Sequence, residues 1–199
     1  MHQEIFTIEG IVHAGKTTVL DNVRRAGLAI ICIDEYTRYR GTEPFPEHPT
    51  TLEEALHANQ FFVDLDTRRF TDIHDMAKAV LLDRSCLSVL AYHYATEGIT
   101  HGEIACFEPS VRLYREHFPQ YIPHAMLYLE ITLSELTRRH EGDTTVYKSV
   151  LLEEEFNRHL TYFYENAQLF FPELEVHRID GTLPAGEILQ AVIRILGFA

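Results

Sequence analysis

Eight residues, Gly10-Ile11-Val12-His13-Ala14-Gly15-Lys16-Thr17, constrain this chain more than any other feature. They fit the spacing G-x-x-x-x-G-K-[ST], in which glycines let backbone N–H groups converge on phosphate oxygens while a Lys neutralises their charge. Glu4-Ile5-Phe6-Thr7-Ile8 precedes them, a β-branched and aromatic run that suits a buried strand. Residues 17–25 follow with Val19, Leu20 and Val23 at helical spacing. Strand, glycine loop and helix N-terminus together aim a positive dipole end at a polyanion. Gly10, His13, Ala14, Gly15, Lys16, Thr17 and Thr18 are therefore the expected phosphate-binding residues.

The rest of the chain repeats this alternation. Apolar runs that suit buried strands lie at residues 5–8, 29–33, 79–82, 126–131 and 174–179. Helical patterns separate them at 51–76, 85–96, 133–140 and 149–170, and a last one covers 185–196. This order predicts an α/β fold, a five-stranded parallel sheet with helices on both faces, in one domain spanning residues 1–199. Ligands in such sheets sit beyond the carboxyl ends of the strands. The Pro- and Gly-rich residues 41–49 suit a loop over the site, and residues 138–149 suit a short lid.

Composition narrows the partners. The formal charge of −13 argues against a nucleic-acid groove or an anionic membrane, both of which reward clustered cations. The 12 histidines lack the H-x-x-x-H or H-E-x-x-H spacing of a metal centre. Cys32, Cys86 and Cys106 are odd in number and lack C-x-x-C spacing, which suits a reducing cytoplasm. No apolar run reaches membrane-spanning length, and the first residues do not read as a secretion signal.

Two further clusters fall at strand ends and others beyond them. The run Ala79-Val80-Leu81-Leu82 ends in Asp83-Arg84, where Asp83 suits a Mg²⁺-bound water and Arg84 a phosphate or an opposing acid. Asp34 and Glu35 end the second strand; one of them is placed to orient or deprotonate an acceptor hydroxyl. Pleat alternation turns one inward and one outward without saying which; Glu35 is taken as the base and Asp34 as a substrate contact. Arg138 and Arg139, with Lys148, flank the expected lid and suit stabilisation of a transferring phosphoryl group. On the second helix Asn59, Phe62 and Arg69 interleave polar groups with aromatics as a pocket for a flat substrate would, and Tyr92 is a further candidate. The run Glu153-Glu154-Glu155 reads as a solvated helix start.

These residues resemble the thymidylate kinase and deoxynucleoside kinase group of P-loop kinases. Residues 8–18 look like the group's first motif, and Leu82-Asp83-Arg84-Ser85 with Ser88, Ala91 and Tyr92 resembles its D-R and S-x-x-A-Y segment. Residues 126–131, Leu136 and Arg138-Arg139 resemble its fourth strand and lid helix. Ile179-Asp180-Gly181-Thr182 resembles the stretch that wraps the donor adenine. Val12 replaces the loop Asp usual in thymidylate kinases, and Asp34-Glu35-Tyr36 stands in place of their E-P-G-G-T, which is closer to the deoxynucleoside kinases. His13 fits neither subgroup. The resemblance implies transfer of the γ-phosphoryl of Mg-ATP to a nucleoside or nucleoside monophosphate. It implies Thr17 and Asp83 at the metal, Asp180 and Gly181 at the adenine, and a homodimer. The competing expectations are a kinase of a non-nucleotide alcohol and a regulatory ATPase.

Overall fold

A computed structural model describes residues 4–73, 78–141 and 149–198. Five parallel strands form one sheet: β1 (Ile5–Glu9), β2 (Ile30–Ile33), β3 (Ala79–Asp83), β4 (Ala125–Glu130) and β5 (Glu175–Asp180). Their order across the sheet is β2-β3-β1-β4-β5. The three central strands are buried along nearly their whole length, as expected of a sheet covered on both faces.

The helices are α1 (Lys16–Arg25), α2 (Leu52–Phe70), α3 (Cys86–Ile99), α4 (Phe107–His117), α5 (Leu133–His140), α6 (Glu154–Glu165), α7 (Ala167–Phe170) and α8 (Ala185–Ile195). α1 packs with α8, while α3 packs with α2, α4 and α6. Local chemistry sets the ends. The Thr51 hydroxyl accepts from Glu54 N–H at 3.2 Å, and the Glu54 carboxylate reaches back to Thr50 N–H at 2.7 Å, a reciprocal cap that starts α2. Ser85 caps α3 through Leu87 N–H at 3.1 Å.

Three expectations change. α2 ends at Phe70 rather than running on to residue 76, and residues 74–77 lie outside the described ones. The single helix expected over 149–170 is a 3-10 turn (Ser149–Leu152) followed by α6 and α7, because Asn166 leaves helical geometry at φ −118° and ψ 21°. α4 was not anticipated; it buries Phe107, Val111 and Tyr114, a period that Pro109 in its first turn conceals. Residues 41–49 contain no helix or strand, as expected, whereas most of the anticipated lid, residues 142–148, lies outside the described residues. Among the described residues no helix is long and apolar enough to cross a membrane.

A buried polar knot joins α2, α3 and α4. The Ser110 hydroxyl donates to Cys106 C=O at 2.6 Å and accepts from Asn59 Nδ2 at 2.7 Å. Its one hydrogen being spent, the 2.7 Å contact with His93 Nδ1 makes that nitrogen the donor. Burial, reinforced by His48, pushes the His93 pKa down to about 4. The folded protein therefore keeps His93 neutral at pH values where the unfolded chain takes up a proton. Stability is lost as pH falls from 6.5 toward 4, by about 2–3 kcal/mol from this group at pH 4.5. Denaturant unfolding at pH 7 and pH 4.5 checks this: His93→Gln should show a smaller loss than the native chain, and an equal loss would contradict the assignment.

Candidate phosphate and acceptor site

The connection from β1 to α1 is a tight loop with three left-handed residues: Gly10 at φ 144°, His13 at φ 62° and Gly15 at φ 97°. Gly10 is required by space as well, since a Cβ there would stand 2.6 Å from Leu129 O. No side chain caps the first turn of α1, which leaves its N–H groups open to an anion. Lys16 reaches back into the loop. Its Nζ donates to Gly10 C=O at 3.0 Å and Ile11 C=O at 2.7 Å. Burial, with the Arg84 charge nearby, lowers its pKa to about 7.

β1 and β3 are neighbours, with Ile8 opposite Asp83, and this pairing brings the start of α1 to the end of β3. The Thr17 hydroxyl donates to Asp83 Oδ2 at 2.7 Å. Asp83 is fully buried and its Oδ1 has no hydrogen-bond partner. Burial raises its pKa against the pull of Lys16 and Thr17. A hydroxyl beside a buried, half-satisfied carboxylate is the donor set a hard, oxygen-seeking cation requires, so Thr17 and Asp83 fit Mg²⁺.

Arg84 follows immediately in a left-handed conformation, φ 63°, uncommon for a residue with a side chain. Its Nε lies 3.5 Å from Glu35 Oε2, and its Nη1 donates to Ser88 Oγ at 3.2 Å. Glu35 also accepts from Thr37 Oγ1 at 2.8 Å. Asp34 turns the other way, pairing with Arg24 on α1 at 2.8 Å. Of the two carboxylates, only Glu35 joins Arg84.

Two of the expected substrate contacts are corrected. Asn59 and Arg69 are wholly buried and cannot touch a small molecule: Asn59 belongs to the Ser110 knot, and Arg69 is held by Asp66 at 2.9 Å and by backbone carbonyls. Phe62 and Tyr92 are both partly exposed. Phe62 stacks on Phe45 of the 41–49 loop at 6.0 Å, and Tyr92 Oη meets His48 Nδ1 at 2.7 Å.

Glu9 was missed as a functional candidate. Fully buried at the end of β1, it accepts from Thr7 Oγ1, Ser85 N–H, Ser85 Oγ and Ser88 Oγ at 2.9, 2.7, 2.8 and 2.5 Å. It thus locks the start of α3 to the loop entrance. An acid between an apolar run and the first loop glycine was the available signal.

The expected lid arginines separate. Arg138 is exposed and pairs with Glu135 at 2.6 Å. Arg139 donates to Glu135 at 2.6 Å, to His13 C=O at 2.9 Å and to Gly181 C=O at 2.7 Å, joining α5 to the phosphate loop and the 180–182 turn. The two arginines hold the Glu135 pKa at about 2. Asp180 shapes that turn through Thr182 N–H at 2.8 Å, and Gly181 fits because a Cβ would stand 2.8 Å from Ile131 Cγ2. His140 Nδ1 lies 3.3 Å from His13 Nε2.

Solved structures share this fold over nearly the whole chain. Deoxyadenosine kinase from M. mycoides with bound dATP is 14% identical, with a TM-score of 0.66 over 98% of this chain and 99% of that one. The same enzyme with products dCMP and dCDP is 12% identical, with a TM-score of 0.67 over 98% and 100%. The chain has the P-loop kinase fold. No protein-family model and no curated protein matches the sequence.

The low Lys16 pKa has a measurable consequence. With its pKa lowered to about 7, Lys16 should be largely neutral at pH 8 in the free protein, and a triphosphate bound beside it would restore the charge. Binding of Mg-ATP should then take up about one proton, falling toward none at pH 6. Calorimetry in two buffers of different ionisation enthalpy measures this; proton release, or no uptake, at pH 8 would contradict it.

Proposed function

We propose that this chain is an ATP-dependent kinase that transfers the γ-phosphoryl of Mg-ATP to a hydroxyl of a nucleoside or nucleoside monophosphate. The observation that carries the reading is the placement of Glu35 against Arg84 at 3.5 Å, one residue beyond the Asp83 that meets Thr17 at 2.7 Å. The Thr17–Asp83 and Glu35–Arg84 pairs thus meet at adjacent strand ends, which supports a donor and an acceptor side by side. The fold shared with deoxyadenosine kinase supports the nucleoside branch of the reading.

In this mechanism the loop N–H groups hold the β- and γ-phosphates, and the Lys16 ammonium leaves its two carbonyl partners to lie against them. Thr17 and Asp83 would hold Mg²⁺, which would supply positive charge against the phosphate oxygens. Glu35 orients the acceptor hydroxyl and takes its proton as the oxygen bonds to the γ-phosphorus and the bond to ADP breaks. Arg84 steadies Glu35 and faces the transferring group. Arg139 brings a cation to the same loop, while Asp180 and Gly181 shape the adenine end. The reading carries a cytoplasmic setting, in keeping with three free thiols, and a homodimer. The acidic balance favours neither nucleic acid nor membrane as partner.

A specific observation supports a second acceptor, an apolar alcohol. Tyr36, the residue after Glu35, clusters with Leu65 and Val89 and with the partly buried Phe45, Phe61 and Phe62, and its hydroxyl is taken up by Asp66 at 3.2 Å. A polar base edge buried there without partners would cost about 1–3 kcal/mol per group. ADP release measured across deoxynucleosides, nucleoside monophosphates, sugars and aromatic alcohols separates the readings. Turnover on deoxynucleosides supports the first and turnover confined to apolar alcohols the second. ADP release indifferent to every acceptor contradicts both and favours a regulatory ATPase.

Two substitutions test the roles. Glu35→Gln should lower kcat by about 10²- to 10⁴-fold with KM for ATP little changed; full activity would remove Glu35 as base. Lys16→Ala should lower kcat/KM by about 10²- to 10³-fold, and retained transfer would remove the donor assignment.

A further inference from the structure

Arg69 combines zero exposure with an unusual set of partners. Its Nε donates to Asp34 C=O at 3.1 Å, and its Nη2 donates to both Asp83 C=O at 3.0 Å and Arg84 C=O at 2.7 Å. Its Nη1 meets Asp66 Oδ1 at 2.9 Å, and its Cζ lies 4.3 Å from the centre of the Tyr36 ring. β2 and β3 pair only as far as Ile33 opposite Leu82. Beyond that point no ladder hydrogen bond joins the two chains, and the guanidinium takes over, tying the residue after β2 to the end of β3.

The two Nη2 bonds fall on the carbonyls before and after the Arg84 backbone nitrogen and Cα, so one nitrogen fixes the conformation of that residue. Its left-handed φ of 63° costs about 1–2 kcal/mol for an L-residue and persists only where neighbours over-determine it. The Asp34 carbonyl held by Nε belongs to the peptide that carries Glu35. Arg69 therefore grips the backbone of both members of the Glu35–Arg84 pair.

We infer that Arg69 is a positioning residue: it sets the separation of Glu35 and Arg84 without touching substrate, an inference that rests on the proposed role of that pair. A buried Arg–Asp pair could equally serve the core alone, and two substitutions tell these apart. Arg69→Lys keeps a cation for Asp66 but cannot span carbonyls from two chain segments. Asp66→Asn removes the ion pair and leaves the guanidinium on its three carbonyls.

Arg69→Lys should lower kcat by about 10- to 100-fold, as a displacement of about 1 Å can, with KM for Mg-ATP within about threefold because the phosphate loop makes none of these bonds. Asp66→Asn should keep kcat within about threefold of the native value even where its melting temperature falls. In ¹H–¹⁵N spectra the Arg84 Nε–H signal should be sharp in the native chain and in Asp66→Asn, and broadened or shifted in Arg69→Lys. Native kcat with an unchanged Arg84 signal in Arg69→Lys would overturn the inference. So would equal losses of kcat in both variants, which mark general damage to the core. Absence of acceptor turnover in the native chain would instead defeat the kinase reading, while the Arg84 signal would still decide the role of Arg69.

Discussion

The 2.7 Å contact between Thr17 and Asp83 depends on β1 and β3 lying side by side, and the site follows from that adjacency. Residues 66 positions apart meet because a crossover returns the chain to the strand it left. β2 lies beyond β3, so Glu35 arrives on one flank of Asp83. β4 lies on the other side of β1, so the 180–182 turn and α5 close over the opposite flank of the loop through Arg139. The Arg139 contacts and the Glu35–Arg84 pair thus sit on the two sides of one strand pair.

Concentrating charge at a buried strand edge is costly, and the structure spreads that cost over named bonds. Glu9 is buried but accepts four hydrogen bonds, three of them from the first residues of α3 and its cap. Arg69 is buried but bonded to one carboxylate and three carbonyls. Lys16 and Asp83 are the members left less satisfied, and burial drives both away from their charged forms. Polyphosphate and a divalent cation are the partners that would relieve them.

The glycine loop was legible because its spacing fixes backbone and side-chain roles together. Asp83 and Arg84 were legible because an apolar run ends at them. Glu35 could not be told from Asp34, since alternation along a strand gives opposite faces without naming them; in the structure Arg24 on α1 holds Asp34 while Glu35 faces Arg84. Arg69 was misread because its mixed aromatic and polar surroundings suit a pocket as well as a core, and only the bond partners separate the two. α4 escaped because Pro109 in its first turn resembles a break, although proline is tolerated there.

The central claim is that the phosphoryl group passes from ATP to an organic hydroxyl held by Glu35. Phosphorus NMR of the protein with Mg-ATP and a deoxynucleoside follows that group directly. The account predicts a new phosphomonoester signal growing in step with ADP, with little orthophosphate. Orthophosphate as the sole product, with every candidate acceptor recovered unchanged, would contradict it.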